Sequence, residues 1–207
     1  WEKAESVLAK VNKDMGLEGE VIRGEAALYW PKIDIMMSDS LGNDRQLGTI
    51  QVDFAMPKRF DLTYIDENGE KQTPVMLHRA ILGSYGRFIA NLIETTGGAF
   101  PVWLSPIQIE IIPITDENVK YAEKVAKMAK EKGLRVEINQ KDDSMGAKIR
   151  DAQIRKIPYM FIVGDREVES NNVSVRLRTE EDLGSKPVEK VLDKILEVYE
   201  SKKLELC

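Results

Sequence analysis

A histidine, a serine and an arginine with chemical potential lie close together in one stretch of the chain. His78 lies in a mostly apolar run, Ser84 follows a glycine, and Arg87 comes three residues later. A lone histidine is more often a hydrogen-bonded structural residue than a metal ligand, since metal sites need three or four donors. A guanidinium is planar, permanently charged and able to stack, so it suits nucleotide and phosphate binding.

The elements that must position these three residues are a strand and a helix. The apolar run at 74–82 predicts a strand that turns at Gly83 into a helix reaching about Glu94. Ser84 is a good N-cap for that helix, because its hydroxyl can accept a bond from a free amide. Arg87 then falls in the first turn, where a cation is unfavourable by roughly 0.3–1 kcal/mol. A junction that breaks a local preference in this way is where function is usually sought.

Upstream of the junction the chain predicts an antiparallel sheet with a helix packed behind it. The stretches 30–37 and 49–54 alternate, with Lys32 on the polar face of the first, and Gln51 and Asp53 on that of the second. That polar face fits solvent and a polar-lined pocket equally well. The turn at 66–69 predicts a hairpin that joins 62–65 to the strand before His78.

The first residues predict two further elements. A helix over 1 to about 15 has one apolar face, which we expect to be packed, and 21–23 is a short strand candidate. That face comprises Trp1, Ala4, Leu8, Val11 and Met15.

The second half of the chain alternates strand and helix after a proline-bracketed connector at 99–106. That order implies a sheet covered by helices, with its own core. Residues 185–187 are expected to open the last helix. The predicted fold is therefore α/β (α+β), with domains at 1–103 and 104–207.

Composition restricts the function. The chain has 207 residues, a net charge of −5 and one cysteine, Cys207. No bulk attraction to nucleic acid or to an anionic membrane is expected, so any such contact needs a local basic patch. A single cysteine excludes an internal disulfide and fits a reducing compartment, so we expect a cytoplasmic protein without a membrane span. The chain opens on a helical pattern without an initiating Met, which suggests a fragment.

A basic cluster stands out on this acidic chain. Arg176 and Arg178 share one face of a predicted strand, and a solvated charged face is as good an explanation of the cluster as a binding site. The other members are Lys148, Arg150, Arg155 and Lys156.

Several stretches together resemble the threonyl-tRNA synthetases, which are class II aminoacyl-tRNA synthetases. The segment HRAILGSYGRF at 78–88 resembles their third signature motif. The resemblance covers effectively the whole chain and is more specific than any single motif. It extends through YWPKID at 29–34, QLGTIQVDF at 46–54, FPVWLSP at 100–106 and KIPYMFIVGD at 156–165.

The resemblance implies roles for individual residues. It makes His78 one of three zinc ligands, with a Cys and a His upstream of this chain, and it places Arg87 across the adenine and phosphates of ATP. Lys32 would offset the charge of the α-phosphate in the transition state. The positions expected around threonine and ATP are Tyr29, Gln46, Gln51, Asp53 and Ser84, and those expected to face the tRNA anticodon are Asp142, Arg150, Lys156, Glu167 and Arg176.

The chain departs from the family pattern at four positions. Trp30 stands where the family has Gly, and Gly86 where it has Glu; Asp142 and Lys156 replace the more usual Asn and Arg. Three interpretations stay open: the carboxyl-terminal part of a threonine–tRNA ligase, a non-catalytic tRNA- or partner-binding relative, and half of a split enzyme. The first implies threonine, ATP with Mg²⁺, tRNA(Thr) and zinc as ligands, and a homodimer for the complete enzyme.

Overall fold

The structure, a computed structural model, describes residues 2–17, 19–26 and 31–206. Four residues that sequence analysis singled out, Trp1, Tyr29, Trp30 and Cys207, lie outside the described residues. By internal contacts the chain divides into two compact units, Trp1–Thr95 and Thr96–Cys207. The described helices are α1 (Glu2–Asp14), α2 (Ala55–Arg59), α3 (Tyr85–Thr96), α4 (Val119–Glu131), α5 (Met145–Ile154), α6 (Asp165–Ser170) and α7 (Val188–Glu200). The described strands are β1 (Lys32–Ser38), β2 (Asp44–Asp53), β3 (Tyr64–Ile65), β4 (Lys71–Gln72), β5 (Met76–Ala80), β6 (Ile109–Pro113), β7 (Val136–Ile138), β8 (Tyr159–Val163), β9 (Asn172–Leu177) and β10 (Asp182–Pro187).

The first unit is built on a three-stranded antiparallel sheet in the order β1-β2-β5. The predicted hairpin exists, but it joins β3 to β4 rather than to the strand that carries His78. Its turn is held by Asp66, whose carboxylate accepts bonds from the N–H groups of Asn68 and Glu70, both at 2.9 Å. The strand with His78, β5, pairs instead with β2, which places the histidine beside the polar face of that strand.

Two expectations for the first residues are wrong. Val21–Arg23 is not a strand, because it pairs with no described strand, and Val21 and Ile22 are exposed. The helix α1 forms as predicted, but among the described members of its expected inner face only Ala4 is buried, while Met15 is 69% exposed. An apolar stripe predicts a helix from local spacing, whereas its burial depends on what lies against it.

The second unit has a five-stranded mixed sheet in the order β10-β9-β8-β6-β7. The strands β6, β7 and β8 run parallel, and β9 and β10 add an antiparallel edge. One face carries a large apolar core with α4 and α7, and the other face a smaller one with α5. The mixed sheet of the second unit and the antiparallel sheet of the first unit together confirm the predicted fold class.

One element boundary in this unit is wrong. Residues 185–187 were expected to open the last helix, but they form the end of β10, in which Lys186 pairs with Val173. Pro187 is tolerated there because it ends the strand at a sheet edge and directly precedes α7. Proline marks the helix start, but one residue later than predicted.

The proline-bracketed connector at 99–106 lies within the second unit and is held there by Gln108 and Arg135. Gln108 is buried; its side-chain amide donates to the carbonyl of Val102 and its oxygen accepts from the N–H of Arg135, both at 2.8 Å. The Arg135 guanidinium in turn donates to the carbonyls of Trp103 and Ser105. The domain boundary at 103/104 stays a prediction.

Candidate functional site

A row of polar side chains crosses the sheet of the first unit. Lys32 of β1 pairs with Gln51 of β2, and Gln51 pairs with His78 of β5. Directly paired residues in antiparallel strands point to the same face, so the amine, the amide and the imidazole lie side by side. Asp34 and Thr49 form the next row on that face.

A β-bulge brings Gln46 onto the same face. In a regular strand Gln46 and Gln51 would point to opposite faces, because their numbers differ in parity. The register shifts between Ile35, which pairs with Gly48, and Met36, which pairs with Gln46, so that Leu47 is skipped. As a result, the Gln46 side-chain amide donates to Asp34 Oδ1 at 2.7 Å.

Asp34 organises this part of the site, and sequence analysis did not include it among the site residues. Its carboxylate accepts from Gln46 Nε2 through one oxygen and forms an ion pair with the Lys32 amine through the other. The side chains of both ion-pair partners are 21% exposed. The available signal was the Lys-x-Asp spacing, which places both charges on one face of a strand.

His78 is held by a buried carboxylate. Its Nε2 lies 2.8 Å from Asp53 Oδ2, and Asp53 is 0% exposed. The other carboxylate oxygen accepts from the N–H groups of Ala55 and Met56, at 2.8 and 3.0 Å, at the start of α2. Burial alone would raise the pKa of Asp53, but the bonds from Met56, His78 and Ala55 outweigh it and the pKa is lowered. Asp53 therefore faces His78 as a carboxylate.

The start of α3 is tied to the bulge. Arg87 Nη1 donates to the carbonyl oxygen of Gln46 at 2.8 Å, and the Arg87 N–H points to Ser84 Oγ at 3.4 Å. Gly83 has a φ of +70°, and a Cβ there would lie 2.3 Å from the carbonyl oxygen of Leu47. Only glycine fits this approach, so the glycine before Ser84 lets the helix begin against the bulge.

In the second unit, α5 and its flanking loops carry three of the residues expected at the anticodon. Asp142 and Arg150 are exposed, on the loop before α5 and on α5 itself. Lys156 follows α5 in a left-handed conformation, with φ at 57°. Its carbonyl oxygen lies 3.4 Å from Arg178 Nη1, which also donates to Phe100 at 2.6 Å. Burial lowers the pKa of Arg178.

The other two expected residues lie on neighbouring elements. Glu167 Oε2 accepts from the N–H of Gly164 at 3.2 Å, at the start of α6. Arg176 lies on β9 opposite Met160 of β8, and its Nε is buried with no hydrogen-bond partner among the described residues. A buried donor of this kind is costly to leave unpaired, so Arg176 is the member of the set most in need of a ligand.

Comparison with known proteins identifies both units. The family model of the class II tRNA synthetase core domain (G, H, P, S and T) matches residues 1–96, and that of the anticodon binding domain matches residues 108–198. The threonine–tRNA ligase of Clostridium tetani is 50% identical over 185 residues, which cover 89% of this chain and 29% of that ligase. The ligase of Acetivibrio thermocellus is 46% identical over 202 residues, covering 98% and 32%.

Solved structures agree. The RNA-binding domain of threonyl-tRNA synthetase from Cryptosporidium parvum superposes with a TM-score of 0.86 at 35% identity, covering 96% of this chain and 50% of that one. The chain belongs to the threonyl-tRNA synthetase family. A prolyl-tRNA synthetase from the same organism is more distant, with a TM-score of 0.69, 25% identity and coverage of 86% and 39%. The chain spans about a third of the length of the curated threonine–tRNA ligases it matches.

The residues assigned from the threonyl-tRNA synthetase resemblance differ in how closely they are brought together. Lys32 and Gln51 form one row with His78, Gln46 joins that face through the bulge, and Arg87 contacts the Gln46 backbone. Asp53 supports His78 instead of standing open to a ligand. Their roles stay predictions.

In residues 2–17, 19–26 and 31–206, no group of three or more His, Cys, Asp and Glu side chains is placed to hold a metal ion. Over the same residues, no helix is both long and apolar enough to cross a membrane.

Proposed function

We propose that this chain forms the carboxyl-terminal portion of a threonine–tRNA ligase, which activates threonine with ATP and transfers it to tRNA(Thr). The observation that carries the proposal is the row of Lys32, Gln51 and His78 across three strands, joined by Gln46 through the bulge. Four polar groups on one face of a sheet, an amine, two amides and an imidazole, support a ligand-binding surface better than a solvated one. Each is fixed by pairing or by a hydrogen bond, as charge stabilisation requires.

Lys32 and Arg87 are the proposed catalytic cations. Asp34 holds the Lys32 amine at the sheet surface, where it would stabilise the negative charge that grows on the α-phosphate. Arg87 is anchored at the Gln46 carbonyl, which leaves the planar guanidinium suited to stack on adenine and to meet phosphates, together with the Mg²⁺ that accompanies ATP. Gln46, Gln51, Ser84 and Tyr29 would supply polar contacts to threonine and ATP.

His78 fits one position of a zinc site. Metal-binding histidines usually have a carboxylate on the ring nitrogen that does not face the metal, and Asp53 provides such a carboxylate. Zinc, when bound, would take the amino and hydroxyl groups of threonine and so reject valine, which has a methyl group in place of the hydroxyl. Tight zinc binding needs further protein ligands, and we assign these ligands to other parts of the enzyme.

The second unit is the proposed reader of the anticodon loop. Single-stranded loops are recognised through splayed bases that are stacked and hydrogen-bonded at their edges. Arg176 brings a buried unpartnered donor, and Lys156 and Arg150 bring exposed cations, on an otherwise acidic chain. Asp142 and Glu167 complete the proposed surface. The complete enzyme is proposed to be a cytoplasmic homodimer.

The test is threonine-dependent ATP–pyrophosphate exchange. Since the chain spans a third of its relatives, it should replace the corresponding part of the Clostridium tetani ligase. We expect this chimera to catalyse exchange, and Lys32→Met to lower kcat/KM by roughly 10²–10³-fold, the usual loss of one transition-state donor. Lys58→Met, at an exposed lysine on α2, is the matched control and should change little.

Two outcomes would contradict the enzymatic proposal. No exchange by a folded chimera that still binds tRNA(Thr) would favour the non-catalytic tRNA-binding relative. Equal losses in Lys32→Met and Lys58→Met would remove Lys32 from the catalytic site.

A further inference from the structure

Glu110 is a buried carboxylate with two different partners. It lies on β6, an interior strand of the second sheet, and is 1% exposed. Asn139 Nδ2 donates to one oxygen at 2.7 Å, and Arg155 Nη1 donates to the other at 2.9 Å. Burial raises the pKa of Glu110, against the opposing effects of Asn139 and Arg155. Since a buried charge is costly, a carboxylate here calls for an explanation beyond core packing.

The first partner leads to the loop that carries Asp142. Asn139 is buried at the end of β7, where its N–H donates to the carbonyl of Ile111 at 2.9 Å. Its side-chain oxygen accepts from the N–H of Lys141 at 3.2 Å. The same amide group therefore bonds Glu110 with its nitrogen and fixes the loop with its oxygen, one residue before Asp142.

The second partner leads to Lys156. Arg155 is the C-cap of α5, and its other terminal nitrogen donates to Glu137 Oε2 at 2.8 Å. Lys156 follows directly in the left-handed conformation, so the direction of its side chain depends on where Arg155 is held. Glu137 is exposed and, among the described residues, forms a side-chain hydrogen bond with Arg155 but not with Asn139, whereas Glu110 forms hydrogen bonds with both.

We infer that Glu110 is a positioning residue that fixes the loop bearing Asp142 relative to the end of α5 bearing Lys156. This inference rests on the proposed anticodon-reading function of the second unit. Glu110 itself touches no tRNA; its buried carboxylate sets the separation of two segments that would. Loss of its charge acts on both segments at once. Asp151 also lies between them, 3.0 Å from Lys141 Nζ and 3.9 Å from Arg155 Nη1, but its side chain is 36% exposed and forms no bond with the Asn139 amide among the described residues.

The test compares Glu110→Gln with Glu137→Gln in the full chain. Both variants remove one carboxylate charge beside Arg155, but only the first also faces Asn139. We expect Glu110→Gln to speed hydrogen exchange at the Lys141 amide by about fivefold to tenfold, and to reduce discrimination between a tRNA(Thr) anticodon stem-loop and one with a changed anticodon base by a similar factor. Glu137→Gln should change each by less than about twofold.

Melting temperature separates positioning from loss of structure. Because glutamine is neutral, Glu110→Gln should melt within about 4 °C of the parent chain. Unchanged exchange and discrimination in Glu110→Gln, with the parent binding the stem-loop, would overturn this inference alone. Equal effects of both variants would also overturn it, since Arg155 would then be the source. Failure of the parent to bind the stem-loop would instead overturn the proposed function and, with it, the role of Glu110.

Discussion

The two units differ in where their apolar side chains lie. In the second unit, strand and helix residues form a continuous core, in which Phe161, Ile109 and Leu192 are fully buried. In the first unit, the buried apolar side chains that the structure describes are those of Ala4, Pro31 and Pro57. Leu77, Ile81 and Tyr85, around the signature motif, are exposed instead.

Their polar groups differ in the opposite way. The first unit concentrates its chemistry on one sheet face, where pairing and a bulge align an amine, two amides and an imidazole. The second unit places its candidate binding groups around a packed core, with the buried Glu110 between them. The comparison indicates that strand register alone can place several polar side chains on one sheet face. The stability of the chain, in contrast, comes mainly from the packed core of the second unit.

Removing a core side chain should give the largest difference between the units. Phe161→Ala leaves a cavity in a fully buried site and should cost about 3–5 kcal/mol of unfolding free energy. Leu77→Ala removes a side chain that is 66% exposed and should cost within about 0.5 kcal/mol. Urea denaturation measures both. Similar costs would mean that the first unit packs Leu77 in solution.

Breaking one ion pair in each unit should give the next largest difference. Arg155→Met leaves the Glu110 carboxylate buried with Asn139 alone and should cost about 2 kcal/mol, below the usual range because Arg155 retains solvent contact. Arg45→Met breaks the pair with Asp39 at an exposed turn and should cost less than about 0.5 kcal/mol. In a double-mutant cycle, adding Glu110→Gln to Arg155→Met should recover most of the loss. No recovery would show that packing of the Arg155 stem is responsible.

Two glycines in matching positions provide a smaller test. Gly86 and Gly146 are the second residues of α3 and α5, and a Cβ on either meets no atom within 4 Å. Alanine at each should stabilise its own unit by about 0.5–1 kcal/mol, because glycine is a poor helix former with a flexible unfolded state. Hydrogen exchange of the two helices would locate the gain. A loss at Gly86 alone would show that the motif needs a loose helix start.

Acid should affect the units in opposite directions, and this should be the smallest of these effects. The N–H of Asn43 and the N–H of Glu70 hold the pKa values of Asp39 and Asp66 below the usual 3.8, so their contribution is present above that pH and lost as the pH falls through the lowered values. The raised pKa of Glu110 has the reverse effect: its contribution is present below 4.5 and lost as the pH rises.

Amide exchange corrected for its intrinsic pH dependence measures this effect. From about pH 6 to pH 3, protection of the turn amides of Asn43 and Glu70 should fall, while that of Ile111, next to Glu110 on the core strand β6, should hold or rise. A fall at Ile111 before the turns would contradict the assignment.

Sequence analysis predicted well what depends on local spacing. Alternation located β1, β2 and most of the second unit, and the Gly-Ser junction located the start of α3, because these signals lie within a few residues. The prediction that the apolar face of α1 is packed was wrong, because burial depends on residues that are distant in the sequence. The short helices α2 and α6 carry too few residues for a periodic signal, and β10 exists through pairing with β9.

The candidate site was predictable in its members and less so in its geometry. Motif resemblance pointed to Gln46, His78 and Arg87, but the bulge that turns Gln46 toward Gln51 arises from pairing with β1 and contact with Gly83. Asp53 was expected near the substrates, and only the fold shows both of its oxygens engaged by His78 and α2. Glu110 was not noted, because a single acidic residue in an apolar strand has no local partner.

The skipped residue in β2 has a consequence for how this strand tolerates changes in length. The pairing register of β2 with β1 differs by one residue on the two sides of Leu47, so deleting Leu47 would change which side chains share a sheet face. The deletion would restore a regular ladder and remove the close approach between Gly83, which precedes α3, and the Leu47 carbonyl. Substitutions of Leu47 should have milder effects, because the bulge and the close approach of Gly83 depend on the backbone at this position and not on the leucine side chain.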